Sequence, residues 1–427
     1  MLDIKFIREN EDLVKKAVKD KKANVDIGEL LKLDEQRRKL QYDIDNLNQE
    51  RNMAAKEKNI ERGKLIKENS GALQEDFKKI DAAFTELMYK VPNIPSEFTP
   101  VGPDESANKV IRKVGELPKF DFKPKEHWQI GKDLDIIDTE TAAQVTGARF
   151  AYLKGGLALM QFAVIQMIMG LLTDEKELAK IAKHAGLDVS TKSFVPVLPP
   201  VMIKPEVMQR MGRLEPKEER YYIPSDDLYL IGSAEHTLGP MHMDSSIDEH
   251  NLPVRYIGFS TAFRREAGSY GKDMKGILRV HQFDKLEMET FTTLDKANDE
   301  QAFIVAIQEK IMQMLELPYQ VMEISTGDMG APDYRQIDIE TWLPGQDRYR
   351  ETHTSDNMTD FQSRRLNIKV KRADGKNELA AMNDATASAG RTLIAIMENY
   401  QQADGSILVP KALQPYMFGI KEIRKSE

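Results

Sequence analysis

Residues Phe259 to Phe291 read FSTAFRREAGSYGKDMKGILRVHQFDKLEMETF, two apolar, strand-like runs around a loop of glycines with Lys272, Lys275 and Arg279. A hairpin of this composition can hold a polyphosphate. On the first strand Arg264 and Glu266 stand two residues apart, so both side chains are expected on one face, one to grip a phosphate and the other an amine. On the returning strand Phe283, Lys285 and Glu287 share a face by the same period, which sets an aromatic plate and a second carboxylate beside a cation. Together they suit a purine nucleotide and an amine substrate. Taken alone, a charged hairpin is more often simply solvated, so the rest of the chain has to decide.

The chain has 427 residues, 41% of them hydrophobic, room for two or three domains and a sizeable core. It has no cysteine, so disulfides and thiolate metal sites are excluded, which suits a reducing compartment. Residues 1–20 are charged throughout and carry no export signal; a cytoplasmic protein is expected. The most apolar run, Leu157 to Leu172, is interrupted by Gln161, Gln166 and Gly170 and reads as a buried helix, with no membrane partner expected. A net charge of −8 argues against a uniformly basic nucleic-acid binder. Lys15, Lys16, Lys19, Lys21 and Lys22 form a local basic cluster, readable as RNA contact or as a solvated helix face.

Leu30, Leu33, Leu40, Ile44 and Leu47 form one apolar stripe, and Leu73, Phe77, Ile80, Phe84, Leu87 and Val91 a second. Asn69-Ser70-Gly71 is the turn signal between them, which predicts an antiparallel helical hairpin ending before Pro92. Such a hairpin is ordinarily a scaffold or dimerisation element. Six prolines between Pro92 and Pro124 mark residues 93–126 as a linker packed along a domain surface. Beyond it, short strands alternate irregularly with helices without a βαβ repeat, which predicts an α+β domain over 127–427. Neither a Rossmann glycine signature nor a P-loop is present, so a nucleotide site must be built another way.

The hairpin resembles motif 2 of the class II aminoacyl-tRNA synthetases, and Arg279 to Glu287 is similar to the seryl-tRNA synthetase version. Val91-Pro92-Asn93-Ile94-Pro95 and His127-Trp128 are also found in that family, and the motifs occur in family order over nearly the whole chain. The resemblance implies a helical tRNA-binding arm over 1–92, shorter than in many relatives, and a catalytic domain on a mostly antiparallel sheet flanked by helices. It further implies ATP and Mg²⁺, serine, serine tRNA with selenocysteine tRNA as a possible second substrate, and a homodimer with two active sites.

By the same resemblance Arg264 holds the α-phosphate, Glu266 the adenine, Phe283 stacks on the base and Glu287 binds serine; Arg265 and Arg279 are further ATP candidates. Ser233-Ala234-Glu235 stands where the family has Thr-x-Glu, lining the amino-acid pocket. Glu351, Thr352, His353 and Thr354 match its Glu-x-Ser-Ser segment, which implies ATP contacts and a metal held by Glu351 and Thr354. His353 alone is poor evidence for zinc, and Asp356 reads either as an added ligand or as a solvated residue. Arg391 opens a helix resembling motif 3 and is expected at the γ-phosphate. Relatives carry Asn-Gly-Ser-Gly where this chain has Asn383-Asp384-Ala385-Thr386-Ala387; counting back from Arg391 puts Ala385, which has no hydroxyl, at the position of the expected serine-binding hydroxyl, and a shift of one residue gives it to Thr386. Two rivals remain: a ligase that passes an amino acid to a carrier protein, and a non-catalytic tRNA-binding scaffold.

Overall fold

The computed structural model describes residues 1–267 and 275–425. Lys272 of the hairpin loop lies outside the described residues. The chain divides into two compact units, Met1–Ile94 and Pro95–Glu427.

The first unit has two short helices, α1 (Ile4–Glu9) and α2 (Glu11–Asp20), before two long ones, α3 (Ile27–Lys56) and α4 (Ile60–Lys90), which pair as the arm. At 30 and 31 residues the long helices span about 45 Å each, by a rise of about 1.5 Å per residue. Asp26 caps α3 by accepting from the Gly28 and Glu29 N–H groups. Leu30, Phe84, Met88 and Val91 close a small core at the base with Ile7, Val14 and Ile27. Asp34, buried there, is held by Arg8 at 3.5 Å and Arg38 at 3.1 Å. In the basic cluster, Lys15 pairs with Glu11 and Lys16 with Asp20, each at 2.6 Å on the same helix.

The turn does not fall at Asn69 to Gly71, which lie inside α4; it falls at Glu57 to Asn59. Lys58 adopts a left-handed φ of 54°, and Asn59 caps α4 by accepting from the Arg62 N–H at 3.0 Å. Ser70 and Gly71 are weak helix formers, but a run of this length carries them at a cost of about 1 kcal/mol for the glycine.

The second unit is built on one eight-stranded sheet. In chain order its strands are β1 (Lys109–Val114), β2 (Val195–Val197), β3 (Val254–Phe263), β4 (Gln282–Thr292), β5 (Tyr319–Glu323), β6 (Arg335–Leu343), β7 (Arg348–Thr359) and β8 (Ala381–Ala389). Their order across the sheet is β1-β5-β6-β7-β8-β4-β3-β2, antiparallel throughout except for β2 beside β3. Residues 93–126 therefore do more than link. β1 is an edge strand of the sheet, and the prolines before it lead a segment bonded to the 324–334 region through Ser96 N–H to Tyr334 O and Thr326 N–H to Pro100 O.

One face of the sheet is covered by α5 (Gly155–Leu172), α7 (Ala297–Met314) and α8 (Gly390–Asn399), while α6 (Pro205–Met211) packs near the end of β7 and β8 through a smaller cluster. α5 is apolar and long enough to cross a membrane, yet eight of its residues, Leu157 and Ile168 among them, are buried in the core. Two glutamines of α7 bond the sheet itself: Gln308 donates to Thr354 O and Thr386 O at 2.9 and 2.8 Å, and Gln301 to Arg335 O and Ser355 O. Both reach strands whose pairing is broken by irregularities at Leu286/Glu287 and Ile339/Glu340.

Asn59→Ala should free the Arg62 N–H and cost the tip about 1 kcal/mol. Amide exchange over residues 60–63 is expected to accelerate about fivefold by mass spectrometry, with the base of the arm unchanged; equal rates would show that the cap contributes nothing.

Candidate active site

A cavity of about 610 Å³ lies on the face of the sheet away from the helices. Strand alternation decides what reaches it. On β4, Phe283, Lys285 and Glu287 line the cavity while Leu286 and Met288 turn into the core. On β8 the lining residues include Asp384 and Thr386, with Ala385 and Ala387 in the core. On β7 they include Thr352, Thr354 and Asp356, with His353 and Ser355 fully buried behind.

One end of the cavity is rich in cations. Arg264 and Glu266, expected on one face of a strand, instead follow it, for β3 stops at Phe263 and Glu266 has a left-handed φ of 51°. The Arg264 N–H still donates to His281 O at 3.0 Å, so both side chains are delivered over the cavity from the lip of the hairpin. Arg264 donates to Gly232 O at 3.0 Å, and its guanidinium carbon lies 5.3 Å from the centre of the Phe283 ring. Arg279 bonds Glu266 at 2.8 Å. Across the cavity Arg391, in the first turn of α8, meets the Glu351 carboxylate at 3.2 Å and its carbonyl at 2.9 Å. The Thr354 hydroxyl is 3.5 Å from Glu351 Oε1, an oxygen pair suited to a hard divalent ion.

The returning limb of the hairpin is pinned by His127. Its backbone N–H and Nδ1 both meet the buried Glu398 carboxylate, at 3.0 and 3.3 Å, while Nε2 accepts from the Ile277 N–H at 3.2 Å. That assigns the proton to Nδ1. Gly276, at φ 70°, passes so close that a Cβ there would lie 2.2 Å from His127 Nε2. Lys275 stacks 4.3 Å over Trp128.

The other end is acidic. Lys285 joins Glu287 at 2.7 Å and donates to the Ser233 hydroxyl at 3.2 Å. Glu235 lies on the short helical turn Glu235–Leu238, where Arg213 donates to it at 2.7 Å and Gln362 at 3.2 Å. Burial alone would raise its pKa, but Arg213, His236 and Lys285 bring it down to about 2. Glu287 is pushed up, by burial first and against the pull of Lys285. Arg213 also faces Asp333, Asp356 and Asp384 at 3.8 to 3.9 Å. Burial, then neighbouring carboxylates, lift Asp356, Asp384 and Glu289 well above the usual range.

Thirteen residues singled out from the sequence thus share one cavity: Ser233, Glu235, Arg264, Glu266, Arg279, Phe283, Lys285, Glu287, Glu351, Thr352, Thr354, Thr386 and Arg391. Asp356, whose two readings were a ligand and a solvated residue, is a buried member of the acidic end. Five others lie off the cavity. Arg265 turns outward, 5.4 Å from the Tyr221 ring, because it follows Arg264 on the opposite side of the chain. Ala234, His353, Asn383 and Ala385 are buried, the last three by strand alternation. The register of β8 therefore presents the Thr386 hydroxyl and not Ala385. Sequence reasoning missed Arg213, which sits in the loop after α6, and gave Asp384 no role. Their partners come from other elements, and no spacing could announce them.

A family model described as the tRNA synthetase class II core domain (G, H, P, S and T) matches residues 220–400, and one described as the seryl-tRNA synthetase N-terminal domain matches residues 1–95. The serine–tRNA ligase of Fusobacterium nucleatum is 39% identical over 100% of both chains, and that of Dictyoglomus turgidum 38% identical over 99% of both. A crystal structure of seryl-tRNA synthetase from Pyrococcus horikoshii complexed with ATP superposes with a TM-score of 0.88 at 33% identity, covering 100% of each chain. An arm ahead of a class II core, likeness along the full length and a cavity with one cationic and one acidic end all lead to one assignment: the chain belongs to the seryl-tRNA synthetase family.

Proposed function

We propose that this enzyme joins L-serine to serine tRNA in two steps at the cavity described above. In the first, a serine carboxylate oxygen attacks the α-phosphorus of ATP; a P–O bond to serine forms, the bond to the β-phosphate oxygen breaks, and pyrophosphate leaves. In the second, the 3′-hydroxyl of the terminal ribose attacks the acyl carbon, AMP leaves, and the hydroxyl proton passes to solvent. The observation that carries the proposal is the polarity of the cavity, with guanidinium groups and an aromatic ring at one end and buried carboxylates at the other.

In this reading Arg264 holds the α-phosphate, where a fixed guanidinium meets the charge that builds on the phosphate oxygens as the attack proceeds. Phe283 offers a face for adenine, and Glu266, steadied by Arg279, an acceptor for its amino group. Arg391 would take the γ-phosphate in exchange for its present contact with Glu351. Glu351 and Thr354 fit Mg²⁺ by their oxygen donors, and the ion, when bound with ATP, adds positive charge against the phosphates. Glu235 stays ionised at neutral pH and, with Glu287, suits the serine ammonium. Ser233 and Thr386 add hydroxyls on the same side.

The acceptor reading rests on the arm, which forms a compact unit of its own. In this proposal it grips the tRNA across a homodimer in the cytoplasm, and selenocysteine tRNA is a second substrate.

Arg264→Ala should lower serine-dependent ATP–pyrophosphate exchange at least about 100-fold, and unchanged exchange would remove the role assigned to it. Deleting residues 28–92 behind a short linker should abolish tRNA charging while leaving exchange within about threefold. Exchange with charging intact would mean the acceptor is not held by the arm and would favour a carrier protein.

A further inference from the structure

Three carboxyl groups face one another across adjacent strands of the cavity floor. Asp384 on β8 stands directly opposite Glu289 on β4 and opposite Asp356 on β7. Like charges in such cross-strand positions repel, and burial multiplies the cost. Arg213 meets the row from above, but its hydrogen bond goes to Glu235 at 2.7 Å, leaving Asp384 Oδ1 at 3.8 Å. Asp384 is 4% exposed, lines the cavity, and its Oδ1 has no hydrogen-bond partner. A buried acceptor left in that state wants a donor from whatever enters.

Resting on the serine-activating function proposed above, we infer that Asp384 is the specificity-determining residue that reads the amino-acid side chain. Its Oδ1 accepts the hydrogen of the substrate hydroxyl, while Arg213 fixes the carboxyl in place. The position fits the task. Asp384 is two residues from Thr386 on the same strand face, and its neighbour Ala385, which could bond nothing, is turned into the core. The substrate ammonium, held at Glu235 and Glu287, would leave a short side chain pointing at this row. Serine supplies the missing donor; alanine fits the space yet leaves Oδ1 buried and unbonded, which is how a polar site rejects an apolar analogue.

The test is ATP–pyrophosphate exchange with L-serine and with L-alanine, on the wild type, Asp384→Ala and Asp384→Asn. The wild type should activate serine and reject alanine; failure with serine would overturn the proposed function itself, before any variant is compared. In Asp384→Ala, kcat/KM for serine should fall about 10- to 100-fold, the cost of leaving one buried hydrogen-bonding group without its partner, with alanine little changed, so the preference collapses. A variant that lowers both amino acids equally, or neither, overturns the inference, since a residue that only holds the fold would not alter their ratio.

Asp384→Asn keeps the volume and guards against misfolding. The folded carboxyl titrates above its ordinary 3.8, through burial first and then Glu235 and Asp356. Stability from the protonated form is therefore complete below 3.8 and lost as pH rises towards the folded value. The amide escapes that loss. Its Tm should match the wild type near pH 4 and exceed it at pH 8, while serine preference still weakens. A lower Tm at pH 8 together with an unchanged ratio of serine to alanine activation would make Asp384 a structural partner of Arg213 alone and sink the recognition role.

Discussion

The two-residue alternation of a β-strand is the constraint on which this active site depends. β4 and β8 run through the middle of the sheet, and each residue on them belongs either to a dry core under helices or to a polar floor. Lys285 and Glu287 reach the cavity because Leu286 and Met288 do not. A slip of one residue would place carboxylates among the apolar side chains of α5 and α7, at a cost of many kcal/mol, so the apolar face fixes the register of the polar one. The irregularities in the ladder at Glu287 and Glu340 would leave this register loose. Gln301 and Gln308 reach from α7 to strand carbonyls of β6, β7 and β8, and Gln308 bonds the carbonyls of Thr354 and Thr386, two residues of the cavity wall.

Buried charge serves two purposes in this fold, and its balance distinguishes them. Arg255 is fully buried in a two-pronged pair with Glu300 at 2.6 and 2.7 Å, gives a third bond to Lys192 O, and lies against the rings of Phe194 and Phe303. Nothing is left over for a ligand. Around Arg213 four carboxyl groups share one guanidinium, and Glu289 lies beneath them with neither oxygen hydrogen-bonded. An arrangement so poorly matched within the protein is poor as a structural element. It becomes reasonable where a ligand completes it, and perturbed carboxyl groups in a cleft are a mark of such places.

How far the sequence could be read followed the range of the interactions involved. The strand pairing of the hairpin was legible in local period, while the mostly antiparallel sheet and the cavity residues were expected because contiguous motifs resemble those of a known family. Arg264 and Glu266 reach the cavity, but not from one strand face as their spacing implied, for strand pairing yields after Phe263 and a left-handed residue at Glu266 turns the chain. Ala385 and Thr386 could not be separated from sequence because register is set by the pairing of β8 with β4 and β7, not by counting from Arg391. Arg213 was invisible for the same reason in stronger form: it comes from a loop some 20 residues or more from every carboxylate it meets.

The arm shows the opposite failure, a local signal that the wider structure overrules. Asn-Ser-Gly at 69–71 has the chemistry of a turn, and Glu-Lys-Asn at 57–59 looks less like one. The cost of carrying Ser70 and Gly71 in a helix is about 1–2 kcal/mol, set against the pairing of two helices of nearly equal length. A turn at residue 70 would leave the first helix some 40 residues long and the second about 20, so much of the first would have no partner. With the turn at residues 57–59 the lengths match at 30 and 31, and Asn59 supplies the cap that an isolated tip needs. Matching the helices decides where the chain reverses, and a left-handed Lys58 is the small strain accepted for it.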